Sequence, residues 1–291
     1  MSWLRNLQLG PQFLVGNRRL FLLCLLLFLV SGVLSFWFFF PAEVVQRYLV
    51  QEVSRQTGLQ LQGRNAEMLF PFGLELDIEV ESGRSELAPI RLQDLQLTPA
   101  WTRILSGTSA VDLQSELEGG TIEEEAVGDG PLELVIADVE IYALQRPELP
   151  YRLAGKLSGR LQAQEPASGL AGQGSFQLRL SETYLHGLTR VGLPESFGLG
   201  VLQLDGKFNQ QRLSIEKVVM TEGAIEMSGG GTLLVAETPE QTRINLNLRL
   251  HPTLNTPDSV RQLLSLTGVK PTTDGSYLFR IAGTLAKPVL R

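Results

Sequence analysis

Residues 74–81 read Leu74-Glu75-Leu76-Asp77-Ile78-Glu79-Val80-Glu81. Apolar and acidic side chains alternate without a break. A period of two places Leu74, Leu76, Ile78 and Val80 on one side of an extended strand, where a helix would scatter them around its circumference. The same habit returns at Phe176, Leu178 and Leu180. It returns again at Ile244, Leu246, Leu248 and Leu250, set between Asn245, Asn247 and Arg249, and at Tyr277, Phe279 and Ile281. One greasy and one polar side per strand is the pattern of an antiparallel sheet with a wet face. The expectation for residues 59–291 is a single large, curved, mostly antiparallel β domain.

Glycine punctuates these runs. There are 29 in all, with clusters at Gly119-Gly120, Gly155 and Gly159, and Gly229-Gly230-Gly231. Between strand-like segments such clusters predict hairpins, bulges or close backbone approach. A short unit with glycine at one fixed place occurs three times, around Gly155 (Tyr151 to Leu157), Gly206 (Leu202 to Phe208) and Gly283 (Phe279 to Leu285). Its irregular spacing excludes a solenoid period and suggests a long meander whose curvature the glycines permit. Two short helices are expected inside the sheet. One has Thr98 as cap, Pro99 at the first position, Trp101, Ile104 and Leu105 inward and Gly107 at the end. The other starts at Thr256-Pro257, carries Val260, Leu263 and Leu264, and ends at Gly268. Linkers are expected at 165–172 and 238–242.

The N-terminal region has a different composition. Leu20 to Phe40 is uncharged and dominated by Leu and Phe, including Phe21, Leu25, Phe28, Trp37 and Phe40. About 20 apolar residues in a helix match the ~30 Å hydrocarbon core of a bilayer. The run exceeds a signal-peptide core and ends in Phe-Phe-Phe-Pro without a small-residue cleavage site, so it reads as an uncleaved signal anchor. Arg5, Arg18 and Arg19 make residues 1–19 a basic stub of charge +3, and no acid lies there. The positive-inside bias then keeps the N-terminus in the cytoplasm and exports the rest. Residues 41–58 follow as an amphipathic stalk helix, with Val45, Tyr48, Leu49 and Val53 at three- and four-residue spacing. The expected fold class is thus mainly β, one N-terminal transmembrane helix ahead of the sheet domain with two or three short helices.

Charge and composition exclude several functions. The whole chain is at −6, so residues 43–291 are at −9, a poor basis for neutralising phosphates, and no nucleic-acid partner is expected. One Cys and two His leave no disulfide framework and no ligand set for structural zinc. No Gly-x-Ser-x-Gly elbow occurs, and Gly229-Gly230-Gly231 lacks the Lys-Ser/Thr of a phosphate cradle. The stripe Glu75, Asp77, Glu79, Glu81 has neighbours roughly 7 Å apart but parallel on one face, so it cannot flank a scissile bond from both sides. It reads as a solvated sheet face, and Glu123-Glu124-Glu125 as a solvated loop. No catalytic, metal or cofactor residues are assigned, and no enzyme is expected.

The order of features carries a resemblance. After the basic stub and the apolar run come Leu69-Phe70-Pro71-Phe72-Gly73-Leu74 and Ala88-Pro89-Ile90-Arg91-Leu92. Later stand Leu204-Asp205-Gly206-Lys207-Phe208, Gly223-Ala224-Ile225-Glu226-Met227-Ser228-Gly229-Gly230-Gly231, and Asp274-Gly275-Ser276-Tyr277-Leu278-Phe279. Across residues 15–291 this resembles the protein N (GspN) family of bacterial type II secretion, within the wider AsmA-like β-groove group. The resemblance implies a single-pass protein of the bacterial inner membrane with its β domain in the periplasm. It further implies an accessory role in protein secretion through contacts with other type II components. The AsmA-like side of the resemblance implies an alternative, a lipid-binding or lipid-transfer module holding phospholipid in an apolar β-groove.

Overall fold

The structure is a computed structural model. It describes residues 18–57, 60–70, 72–81, 89–107, 110–127, 131–145, 149–164, 172–191, 194–236 and 241–290. Arg5 and most of the two expected linkers lie outside the described residues.

Helix α1 (Arg18–Phe39) leads into α2 (Ala42–Thr57) through Pro41, whose carbonyl accepts from the backbone N–H of Val44 and Val45. Fourteen strands follow: β1 (Gln60–Leu69), β2 (Gly73–Glu81), β3 (Ile90–Pro99), β4 (Ala110–Leu117), β5 (Gly120–Val127), β6 (Leu132–Glu140) and β7 (Arg152–Ala163), then β8 (Gln173–His186), β9 (Ser196–Asn209), β10 (Arg212–Thr221), β11 (Ile225–Leu234), β12 (Arg243–Pro252), β13 (Tyr277–Thr284) and β14 (Lys287–Leu290). Helix α3 (Trp101–Leu105) joins β3 to β4, and α4 (Asp258–Leu266) joins β12 to β13. A 3₁₀ turn at Leu188–Val191 lies between β8 and β9.

All fourteen strands form one sheet in chain order, each antiparallel to the next. The expected mainly β, curved antiparallel sheet is the architecture found. Nearest-neighbour connection follows from short turns, since an antiparallel pair needs only a hairpin. Curvature comes from bulges. Register shifts fall at Asn65 in β1, Asp94 in β3, Asp138 in β6 and Glu182 in β8, whose φ angles are 54°, 48°, 55° and 51°. A bulge residue in the left-handed region bends its strand and adds twist. Asn and Asp tolerate that region because their short polar side chains bond locally.

The sheet is a single layer for most of its width. The chain exposes 20019 Å², against about 12,000 Å² for a compact monomer of this mass. Three separate apolar clusters line one face. At the first edge, Ala42, Val45 and Leu49 of α2 pack on Leu74, Leu76 and Leu95. Leu76 is 1 % exposed there, a burial that contributes roughly 1.5–3 kcal/mol. Toward the other edge, Val260 and Leu264 of α4 join Leu188, Phe197, Met220, Ile225 and Phe279. Between them Ala163, Phe176 and Phe208 form a central cluster without a helix.

Several expectations are corrected. Thr98 and Pro99 are not the start of a helix. They close β3, paired with Asp112 and Val111, and the ladder runs on through the Ala100 N–H to the Ala110 carbonyl. Helix α3 is one turn with no side-chain cap, and Trp101, Ile104 and Leu105 are exposed rather than inward. Helix α4 begins at Asp258 after Pro257, while Thr256 instead donates its hydroxyl to the Ala224 carbonyl, tying the helix to β11. Leu263, expected in its buried stripe, is exposed. Glu123-Glu124-Glu125 is not a loop but the middle of β5, held by β4 and β6 on either side. Side chains along α1 are described for Phe21–Gly32 and a few positions beyond, and those of Arg18, Arg19, Leu20 and Trp37 are not among them. Among the described residues no helix is long and apolar enough to cross a membrane. The expected single transmembrane helix is therefore not part of what the fold establishes.

The three repeated glycines do three different things. Gly155 is a bulge at φ 148°, Gly283 turns toward β14 at φ 113°, and Gly206 lies beneath an aromatic ring. In the direct pairs Phe176–Gly206 and Gly174–Phe208, each phenylalanine lies across the glycine of the opposite strand. A methyl on Gly206 would stand 2.5 Å from Phe176 Cζ and from the Ser214 carbonyl oxygen. Gly206→Ala or Gly174→Ala should therefore lower stability in a denaturant titration by about 1–3 kcal/mol, the usual range for overpacking. Gly198→Ala, whose methyl would meet only Tyr184 at 3.6 Å, should change it by less than about 0.5 kcal/mol.

Candidate functional site

Direct cross-strand partners share a face, so the register can be followed across the sheet. One row runs from Leu74 on β2 through Leu97 and Leu113 to Glu124 on β5. It continues through Leu134, Leu161, Phe176, Gly206, Ile215 and Gly231 to Leu246 and Ile281. The next row carries Leu178, Leu248 and Phe279, and a third carries Leu180, Leu250 and Tyr277. Ile244 lies one row to the other side, and Ile78 and Val80 continue the face along β2. The apolar residues picked out on four separate strands thus belong to one continuous face. On β12 Ile244 is buried and Leu246, Leu248 and Leu250 are half-buried, while Asn245, Asn247 and Arg249 opposite them are exposed.

The face is covered at its sides and open between. Helix α2 lies over β1 and β2, with the Gln46 and Val50 side chains above Gly63. Helix α4 is fixed by Arg261, whose guanidinium donates to the Thr253 carbonyl at 2.6 Å. In the middle, Leu161, Leu178, Leu204 and Leu213 surround Phe176 and Phe208 and stay half-buried. At the end of these strands an open cleft of about 640 Å³ is lined by Leu132, Ala163, Gly174 and Phe208, with Arg103, Lys207 and Gln162 at its rim.

That same end of the sheet receives α2. The helix runs antiparallel to β1, since Val50 lies above Gly63 near the start of the strand while Ala42 joins the cluster of Leu74, whose partner Met68 lies near the strand's end. Ala42, and with it the end of α1, therefore lies beside the hairpin from β1 to β2 and the α3 turn. Phe70, Phe72, Trp101 and Leu105 are exposed there, and the Phe72 and Trp101 rings meet edge-on at 5.6 Å.

The opposite, polar face carries the acidic stripe, and three of its four carboxylates also bond across strands. Asp77 accepts from Asn65 Nδ2 at 2.7 Å and from the Asp94 N–H at 3.1 Å, so one carboxylate clips two bulges. Glu75 accepts from Gln96 Nε2 at 3.0 Å, and Glu79 lies between Arg64 and Arg91 at 3.6 and 3.4 Å. Asp274 accepts from the hydroxyls of Thr272 and Ser276, which hold its carboxyl far below the usual range and fix the turn before β13. His186 stacks on Tyr184 and meets Tyr142, over whose ring Arg152 sits at 4.2 Å. Among the described residues no three His, Cys, Asp or Glu side chains gather in a way that could hold a metal ion.

One residue on the apolar face was missed. Glu124 is in phase with Ile122 and Ala126, a signal present in the sequence but hidden by the acidic neighbours Glu123 and Glu125. No family model, curated protein or solved structure matches the chain.

Asp77→Ala should lower stability by about 1–3 kcal/mol, because two bulges lose a charged acceptor, whereas Glu123→Gln should be nearly neutral in the same melt. Leu246→Asp should cost more than either, since an unpaired carboxylate would replace an apolar contact in the row.

Proposed function

We propose that the protein is a membrane-tethered envelope component that holds the acyl chains of a lipid along the open apolar face of its sheet. The observation that carries this reading is the uncovered centre of that face. Rows of Leu, Ile and Phe run from β6 to β10 with no helix over them, while both flanks are packed. Half-buried apolar rows of this extent are stabilised when an apolar partner displaces water. In this reading Leu20 to Phe40 is the signal anchor, the Arg5, Arg18 and Arg19 stub stays in the cytoplasm, and the sheet stands in the periplasm of the bacterial inner membrane. The cleft end, with Phe70, Phe72 and Trp101 around it, then faces the bilayer that supplies the lipid, as aromatic side chains at a membrane interface do.

A second reading rests on a different observation. All four residues of β14, Lys287–Leu290, are exposed, and an edge strand offers unpaired backbone groups for strand addition. Docking there by other components of type II secretion would make the protein an accessory subunit of that machine, and tethering in one membrane would raise the effective concentration of both partners.

The test uses the full chain in vesicles containing phosphatidylethanolamine with a photoactivatable group near the acyl terminus. Crosslinks should map to peptides carrying Leu161, Leu178, Leu204 and Leu213. Labelling confined to α1 would overturn the lipid reading. Recovery of secretion components that is lost on deleting Lys287–Leu290, with no lipid on the sheet, would establish the second.

A further inference from the structure

Glu124 is the one carboxylate that the strand register places on the apolar face among the described residues. It stands directly between Leu113 on β4 and Leu134 on β6. It is half-buried, and no described side chain or backbone group bonds to it. On the polar face Asp77, Glu75 and Glu79 have partners, and Lys207 at the cleft rim bonds to Glu216 at 2.7 Å. Burial alone pushes the Glu124 carboxyl above its ordinary range, with no neighbouring cation to offset it.

A lone carboxylate in a row of leucines costs free energy unless something supplies a partner. The open face lets a ligand supply it. A divalent cation would need several oxygen ligands, and one carboxylate cannot provide them. An ammonium group needs only one good acceptor and can be carried on an apolar body. Glu124 lies one row, about 7 Å, from the cleft lined by Leu132 and Ala163. From it the row Leu134, Leu161, Phe176 and Gly206 leads across four strand spacings of about 4.8 Å, an apolar track roughly 19 Å long.

We infer that Glu124 is a headgroup socket, a carboxylate that pairs with the ammonium of an amphiphile whose tail lies along that track. The socket rests on the lipid reading above and adds a selectivity to it: amine-headed lipids are held in preference to those with anionic, amine-free headgroups. The negative charge at this point would repel a phosphate that lacks a cation beyond it.

The test compares full-length wild type, Glu124→Gln and Glu124→Leu in vesicles. Each vesicle contains either photoactivatable phosphatidylethanolamine or phosphatidylglycerol with the same acyl label. Wild type should label the Leu134 and Leu161 peptides with an ethanolamine-over-glycerol excess of about tenfold, the scale of one charge-assisted bond. Both variants should bring that ratio close to one. Glu124→Leu should leave phosphatidylglycerol labelling no lower than in wild type, because it removes the repulsive charge and extends the apolar row, and its melting temperature should be no lower than wild type. Equal labelling by both lipids in wild type, or a preference that survives in both variants, would overturn the socket while leaving the apolar track intact. Absence of any label on the sheet would overturn the track and the socket together.

Discussion

Phase is the constraint on which the rest of this structure depends. In an antiparallel meander the side-chain period is two, and a slip of one residue between any neighbours would turn a whole strand's apolar set toward water. Here the phase is kept across fourteen strands, through at least four bulges with a residue in the left-handed region. Each bulge adds a residue to one strand and would break the alternation if nothing compensated for it. Asp77 shows how it is managed, with one β2 carboxylate receiving both the Asn65 side chain and the Asp94 amide, so that bulges on its two flanks fall at the same level. Ser158 and Asp138 make a comparable pair between β6 and β7. The polar face thus sets the register, and the apolar face results from it.

A single layer built this way leaves the centre of its apolar face uncovered among the described residues. Two helices cover the flanks. Helix α2 buries Leu76 nearly completely, and α4 brings Val260 and Leu264 onto Phe197 and Phe279. The centre is answered differently. Glycines at Gly174 and Gly206 let Phe208 and Phe176 lie flat across the neighbouring strand, shielding backbone without adding a second layer. This gives a smooth, shallow surface rather than a filled core, the form an extended apolar ligand needs and a close-packed interior does not provide.

The placement of the N-terminal helices gives this surface a direction. Because α2 runs antiparallel to β1, the junction with α1 falls at the end of the sheet where the cleft opens and where Phe72 meets Trp101. In the proposed lipid reading the tether, the aromatic rim and the opening at one end would serve exchange with a bilayer, while at the opposite end α4 and the 3₁₀ turn pack on Phe197 and Phe279. Glu124, just inside the opening, fits a headgroup position better than a point deep in the track.

The sequence by itself determined the strand class, and the in-out sense and apolar residues of β2, β8, β12 and β13, because alternation is a local property of consecutive residues. It also marked α2 and, within two residues, α4. Only the tertiary structure decided which strand lies beside which, since Leu74, Phe176, Leu246 and Ile281 come into one row through eleven strand-pair registers that no single segment encodes. It likewise turned the acidic stripe of β2 into a set of cross-strand clips, and it moved Glu124 from a run of three acids to the apolar face. A residue's own period tells which side it takes, but what meets it there is set by partners distant in the chain.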